Sequence, residues 1–179
     1  MDAQITFAFD RDYIYAKGYM DASEILAKAV ARKKILGYPD QFVYPILFLF
    51  HHHLELRLKH IIRIYYEYES IQDAIPAHHD IVQLWNIGKK FILDLNKGHD
   101  RTPVIAVEGV IKDLETLNKS SEGYRYAFNK KGARIILVDK TVNIQHLSKL
   151  IPKINSFFDA VCMQIDHVKE YMDYSRDQY

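Results

Sequence analysis

The chain has 179 residues and a mass of 21.0 kDa, about the size of one domain. Hydrophobic residues make up 49% and charged residues 26%, enough to bury a core, which excludes a disordered tail. Lys plus Arg number 24 against 23 Asp plus Glu, so no bulk charge argues for a nucleic-acid or membrane-surface protein, and the single cysteine, Cys162, excludes an internal disulfide or a multi-cysteine zinc cage.

Met1 to Phe9 lacks the basic start of a signal peptide, with Asp2 in its place. The most apolar run, residues 43–50, is far short of the roughly 20 residues a membrane span needs. The expectation is a cytoplasmic chain without a membrane segment. Residues 12–34 carry apolar side chains at helical steps, and Gly37-Tyr-Pro-Asp40 stops the pattern. A second helix is expected from about Tyr44, with Pro45 in its first turn, where a missing N–H costs nothing. Its stripe runs Leu47, Phe50, Leu54, Leu58, Ile61 and Tyr65. Asp80 reads as the N-cap of a third helix, with Gln83 completing a capping box and Gly98 ending it. Thr102-Pro103 then opens a fourth helix that runs to about Asn118.

The hydrophobic period next changes to two. Tyr124, Tyr126 and Phe128 alternate with Arg125 and Ala127, and an Asn-Lys-Lys-Gly turn leads into Arg134 to Val138, which predicts a β-hairpin over about 123–138. Asn143 caps a long last helix striped by Leu147, Leu150, Ile154, Phe158, Val161 and Ile165, which Pro152 should kink or split. The fold expected is one all-α domain over 1–179: an up-and-down bundle of about five helices, with the hairpin before the long C-terminal helix.

The densest polar cluster lies on the second helix. His52 precedes Glu55 by three residues, and Lys59 follows Glu55 by four, so the three share a band. A carboxylate between an imidazole and an ammonium can do acid–base work if the band faces a cleft. The plainer expectation is an ordinary helix ion pair worth about a few tenths of a kcal/mol, beside half-exposed histidines. Adjacent His51, His52 and His53 lie roughly 100° apart and cannot share one ion. A mixed site of His51 or His52, Glu55 and His79 is geometrically open, but no spacing demands a metal, and neither metal nor cofactor is expected. His79 precedes a helix start and is expected to pack on the preceding helix. Cys162 sits on an apolar face, which predicts an inert buried thiol. Lys130, Lys131 and Arg134 in the hairpin turn, with its tyrosines, offer weak phosphate and stacking contacts.

The run Tyr44-Pro45 through His51-His52-His53-Leu-Glu55-Leu-Arg-Leu-Lys59, followed by His79-Asp80-Ile-Val-Gln-Leu84-Trp85, resembles the HEPN superfamily of prokaryotic helical domains. Tyr124-Arg125-Tyr126 before a charged turn is similar to the aromatic-Arg-Tyr hairpin of some members. The resemblance implies a helical scaffold, homodimerisation and a toxin–antitoxin, CRISPR or phage-defence setting, in which many members are metal-independent ribonucleases. Those nucleases carry an Arg-to-His spacing on a late helix that this chain lacks. What is expected is therefore a non-catalytic binding module with an RNA, nucleotide or cognate protein partner. The alternatives are a divergent metal-independent ribonuclease using His52, Glu55, Lys59, His79 and Arg125, and a His/Glu metal-dependent enzyme.

Overall fold

The computed structural model describes residues 11–117, 122–129, 131–135 and 141–176. Among them are six helices: α1 (Arg11–Ala31), α2 (Pro39–Tyr68), α3 (Ile81–Leu95), α4 (Thr102–Leu117), the single turn α5 (Glu122–Arg125) and α6 (Ile144–Arg176). None of these helices is long and apolar enough to cross a membrane.

Helix α2 starts earlier than its sequence pattern predicts. Pro39, not Pro45, takes the first-turn position, and Gln41 accepts a hydrogen bond from the Tyr38 N–H at 3.3 Å, half of a capping box. Pro45 therefore lies inside the helix, where its missing N–H forgoes one backbone bond. The chain reaches Pro39 through Gly37, whose φ of 136° lies where a side chain would be strained.

Helix α2 touches α1, α3, α5 and α6 and forms the axis of the molecule. Its buried residues include Ile46, Phe50, Leu54, Leu58, Ile61 and Ile62, but also His51, His53, Glu55 and Arg57. Helix α3 lays Ile81, Leu84, Trp85, Phe91 and Ile92 against it, and Gly88 allows a close approach: a Cβ there would already sit 3.5 Å from Ile61. Helix α3 starts at the predicted cap, with the Asp80 carboxylate accepting from the Gln83 N–H at 2.9 Å, but Gln83 does not complete the box: its side-chain amide donates to the same carboxylate at 2.8 Å. Its end comes before Gly98, because the Asn96 side-chain amide donates to the Ile92 carbonyl at 2.8 Å. At α4 the predicted cap shifts as well. Thr102 is already helical, and Asp100 accepts from its N–H at 2.9 Å and its hydroxyl at 2.7 Å.

The predicted β-hairpin is not formed as strands among the described residues. Tyr124 and Arg125 belong to the helical turn α5, and a single antiparallel bridge joins Phe128 to Arg134. The Asn/Gly signal does reverse the chain. Gly132 takes a φ of 75°, and the Asn129 carboxamide oxygen accepts from the N–H groups of Lys131 and Ala133 at 2.9 and 3.0 Å. Residues 136–138 of the predicted second strand, and Lys130, lie outside the described residues. Tyr124 is 8% exposed; its burial on the bundle favours the helical turn over an extended edge strand.

Helix α6 is capped by Asn143, which accepts from the His146 N–H at 2.9 Å. Pro152 does not split it: one helix runs unbroken from Ile144 to Arg176. Ile151 and Ile154 on either side are buried, so packing outweighs the one backbone bond the proline removes.

Candidate functional site

Glu55 sits at the centre of the predicted polar cluster, but in the protein interior rather than on a solvated band. Its side chain is 5% exposed. One carboxylate oxygen accepts from Lys59 Nζ at 2.8 Å and faces His79 Nδ1 at 2.7 Å. The other lies 3.7 Å from His52 Nδ1. The helical spacing of α2 sets the Lys59 and His52 contacts, and the Asp80 cap fixes where the chain delivers His79 from the segment before α3. Burial alone would raise the Glu55 pKa; His52, Lys59 and His79 overcome it and hold the carboxyl well below its usual range. Such a carboxylate is a poor proton acceptor near neutrality but a strong anchor for His79, whose side chain remains 65% exposed.

The neighbouring histidines are not half-exposed as expected. His51 and His53 are fully buried. His53 Nδ1 lies 3.0 Å from the Ala16 carbonyl oxygen of α1, whereas neither His51 ring nitrogen has a hydrogen-bond partner. Burial pushes the His51 pKa down to about 4 and that of His53, helped by the nearby Arg57 charge, down to about 3. Both are neutral imidazoles at physiological pH. One turn on, Arg57 is 1% exposed and donates to Asp159 of α6 at 2.6 Å and to Cys162 Sγ at 3.2 Å, with its guanidinium 4.9 Å from the Tyr13 ring of α1. Cys162 is buried, and that burial raises its pKa above the ordinary thiol range. Tyr13, Arg57 and Asp159 tie three helices together, a contact across the bundle that sequence reasoning missed.

The predicted cation Arg125 joins the Glu55 cluster through aromatic rings. Its guanidinium lies 5.2 Å from the Phe48 ring and 5.3 Å from the Tyr126 ring. Phe48 stacks in turn on His52, with centroids 5.8 Å apart and planes within 8°. Tyr19 of α1 closes the column edge-on to His52 at 4.5 Å. A continuous stack thus runs from Tyr126 to the residue beside Glu55, and the Arg125 charge reaches His51 together with those of Glu55, His52 and His79. Of the candidates, His52, Lys59 and His79 gather on Glu55, whereas Arg125 touches none of them and is linked to His52 only through the Phe48 ring.

Beyond Arg125 lies an open cleft of about 690 Å³. Tyr44, Tyr124, Arg125, Tyr126 and Arg134 line it. Among the described residues no carboxylate lies within ion-pair distance of Arg125 or Arg134. Lys131, the other described member of the predicted basic turn, is exposed but is not a lining residue. Tyr44 and Phe48 were not expected from the sequence to be site residues; both sit one or more helical turns before His52, on the approach to the cluster, which was the available signal. No group of three or more His, Cys, Asp or Glu among the described residues is arranged to hold a metal ion. The chain matches no family model, no curated protein and no solved structure.

Proposed function

We propose that the chain is a non-catalytic, HEPN-like binding module, a single cytoplasmic domain acting in a prokaryotic defence or toxin–antitoxin setting, with an RNA or nucleotide as its ligand. The observation that carries this reading is the cleft in which Arg125 and Arg134, with no carboxylate partner among the described residues, stand beside Tyr44, Tyr124 and Tyr126. Two guanidinium groups among aromatic rings match the chemistry of phosphate and base together. The state of Glu55 supports a binding role over catalysis: a carboxylate this strongly held ionised neither takes nor gives a proton readily near pH 7. A homodimer and a cognate protein partner belong to the same proposal. It is supported by the exposed Ile14, Tyr15 and Ile25 of α1, and light scattering that returns only a 21.0 kDa particle at micromolar concentration would remove the dimer.

A second reading, the divergent metal-independent ribonuclease, is favoured by one specific contact. His79 is oriented by Glu55 through Nδ1 while most of its ring stays exposed, as a carboxylate-oriented acid–base imidazole would be. One experiment separates the two. RNA is incubated with the parent protein and with His52→Ala, His79→Ala and Arg125→Ala, chelator present throughout. RNA that is bound but left intact supports the binding module. Cleavage by the parent that one of these changes abolishes replaces it with the ribonuclease.

A further inference from the structure

We infer that His79 is a phosphoryl-acceptor site: its Nε2 takes a phosphoryl group from a donor of the phosphoramidate class, and Glu55 holds the ring for that attack. The site lies outside the cleft, whose lining residues do not include His79, and the inference stands whether or not the cleft binds RNA.

The geometry decides which nitrogen reacts. His79 Nδ1 lies 2.7 Å from Glu55 Oε1, and the Glu55 side chain is only 5% exposed. Glu55 also receives the Lys59 ammonium and is held ionised, so it only accepts, and the hydrogen in the contact belongs to His79 Nδ1. In the neutral ring Nε2 then carries the lone pair. That nitrogen makes no hydrogen bond or ion pair with a described residue. The His79 side chain is 65% exposed while Nδ1 is turned to an interior carboxylate, so the free edge is the one facing water. His78 is the contrast built into the chain. It is adjacent and also exposed, but no described carboxylate pairs with it, so neither its tautomer nor its ring orientation is fixed.

An exposed imidazole with one fixed lone pair can hold a metal, relay a proton or attack an electrophile. A metal needs further ligands, and no group of three or more His, Cys, Asp or Glu among the described residues is arranged to supply them. Proton relay needs a substrate positioned at the ring, and the cleft is not built around His79. Attack needs only access, because the donor molecule brings its own phosphate-holding groups. In the transfer the bond from Nε2 to phosphorus forms and the donor's P–N bond breaks. The electron pair leaves with the donor nitrogen, which water protonates. Positive charge develops on the imidazole, which keeps its Nδ1 proton, and the Glu55 carboxylate is already in place to stabilise it. Lys59 on the same Glu55 oxygen offsets the negative charge that an incoming phosphoryl group would meet, and the Asp80 carboxylate is engaged by the Gln83 N–H and amide. A phosphohistidine on another protein belongs to the same donor class, and transfer between two imidazoles exchanges one P–N bond for another.

The test is incubation of the protein with potassium phosphoramidate at neutral pH, followed by intact mass, peptide mapping and phosphorus NMR, which distinguishes the Nδ1 from the Nε2 adduct. One acid-labile phosphoryl group should appear on His79 at Nε2, at least about tenfold faster than on His78. His79→Ala should lose it and His78→Ala should keep it. Glu55→Gln, assayed at a temperature where melts show it folded, should slow labelling at least about tenfold and admit the Nδ1 adduct, which a merely structural role would not do. Equal labelling of His78 and His79, or labelling of His79 at Nδ1, overturns the inference. So does a Glu55→Gln protein that keeps the parent rate and isomer, or a parent left unlabelled under conditions that label a histidine peptide in the same tube.

Discussion

Arg57 and Arg125 carry the same guanidinium into opposite surroundings. Arg57 is fully buried against Asp159, Cys162 and the Tyr13 ring, and its charge is answered inside the bundle. Arg125 is exposed, touches Phe48 and Tyr126, and has no carboxylate beside it among the described residues. A satisfied charge in the interior is a structural tie, and removing its partner damages the fold. A charge held in place by rings but left without a counterion is available to a ligand. Glu55 belongs with Arg57 by this measure, because the Lys59 ammonium and the His79 ring already answer it.

The contrast breaks most visibly at Asp159. Asp159→Ala leaves the buried Arg57 with only a sulfur and a ring, and should destabilise the protein by roughly 3–5 kcal/mol in denaturant melts. Asp21→Asn, which breaks the solvent-exposed Lys17–Asp21 pair, is the control and should cost under about 1 kcal/mol. Equal effects of the two changes would mean that Arg57 is no tie.

Acid should expose the interior region next. His51 has its ordinary value of 6.5 when unfolded and about 4 when folded. The unfolded chain therefore takes up a proton that the folded chain refuses, and stability falls as pH drops from 6.5 toward 4. That one group accounts for roughly 3 kcal/mol, and His53 extends the loss toward pH 3. Glu55, depressed in the fold, adds its own loss only below its unfolded value of 4.5. Urea melts between pH 7 and 4.5 should lose about half their pH dependence in His51→Leu, because His53 contributes equally over that range, and an unchanged dependence would show that His51 reaches water. At neutral pH, Glu55→Gln should cost about 2 kcal/mol through weakened charge-assisted hydrogen bonds to Lys59 and His79.

The helices were legible in the sequence because a 3.6-residue period and a capping residue are local facts, and α3 after Asp80 is the clearest case. The start of α2 was not, since Pro39 and Pro45 both suit a first turn and only the surrounding packing chooses between them. The cluster of His52, Glu55 and Lys59 was legible for the same local reason. Its burial was not: a sequence displays one apolar stripe, whereas α2 is covered from several sides by other helices, so His51 and His53 looked half-exposed and nothing marked Arg57 as buried. Asp159 is 102 positions from Arg57, and no pattern within one helix reports so distant a partner. The period-two run over Tyr124 to Phe128 misled because aromatic alternation also describes a helical turn leading into a bent strand.

The smallest effect on stability should come from Arg134, and there the contrast is sharpest. Arg134 is exposed and makes no ion pair with a described residue, so Arg134→Ala removes no tie and should change stability by less than about 0.5 kcal/mol. Its functional effect should be out of proportion to that. If Arg134 neutralises one phosphate of a bound RNA strand, its loss removes one released counterion, and the slope of log affinity against log salt should shrink by about 0.7. Arg57→Met should do the reverse, changing stability while leaving the salt slope of any protein that still folds untouched, because a guanidinium 1% exposed meets no phosphate. Two binding isotherms at several salt concentrations and two melts therefore separate an internal charge from a ligand-facing one. A normal salt slope in Arg134→Ala would place the phosphate elsewhere on the molecule.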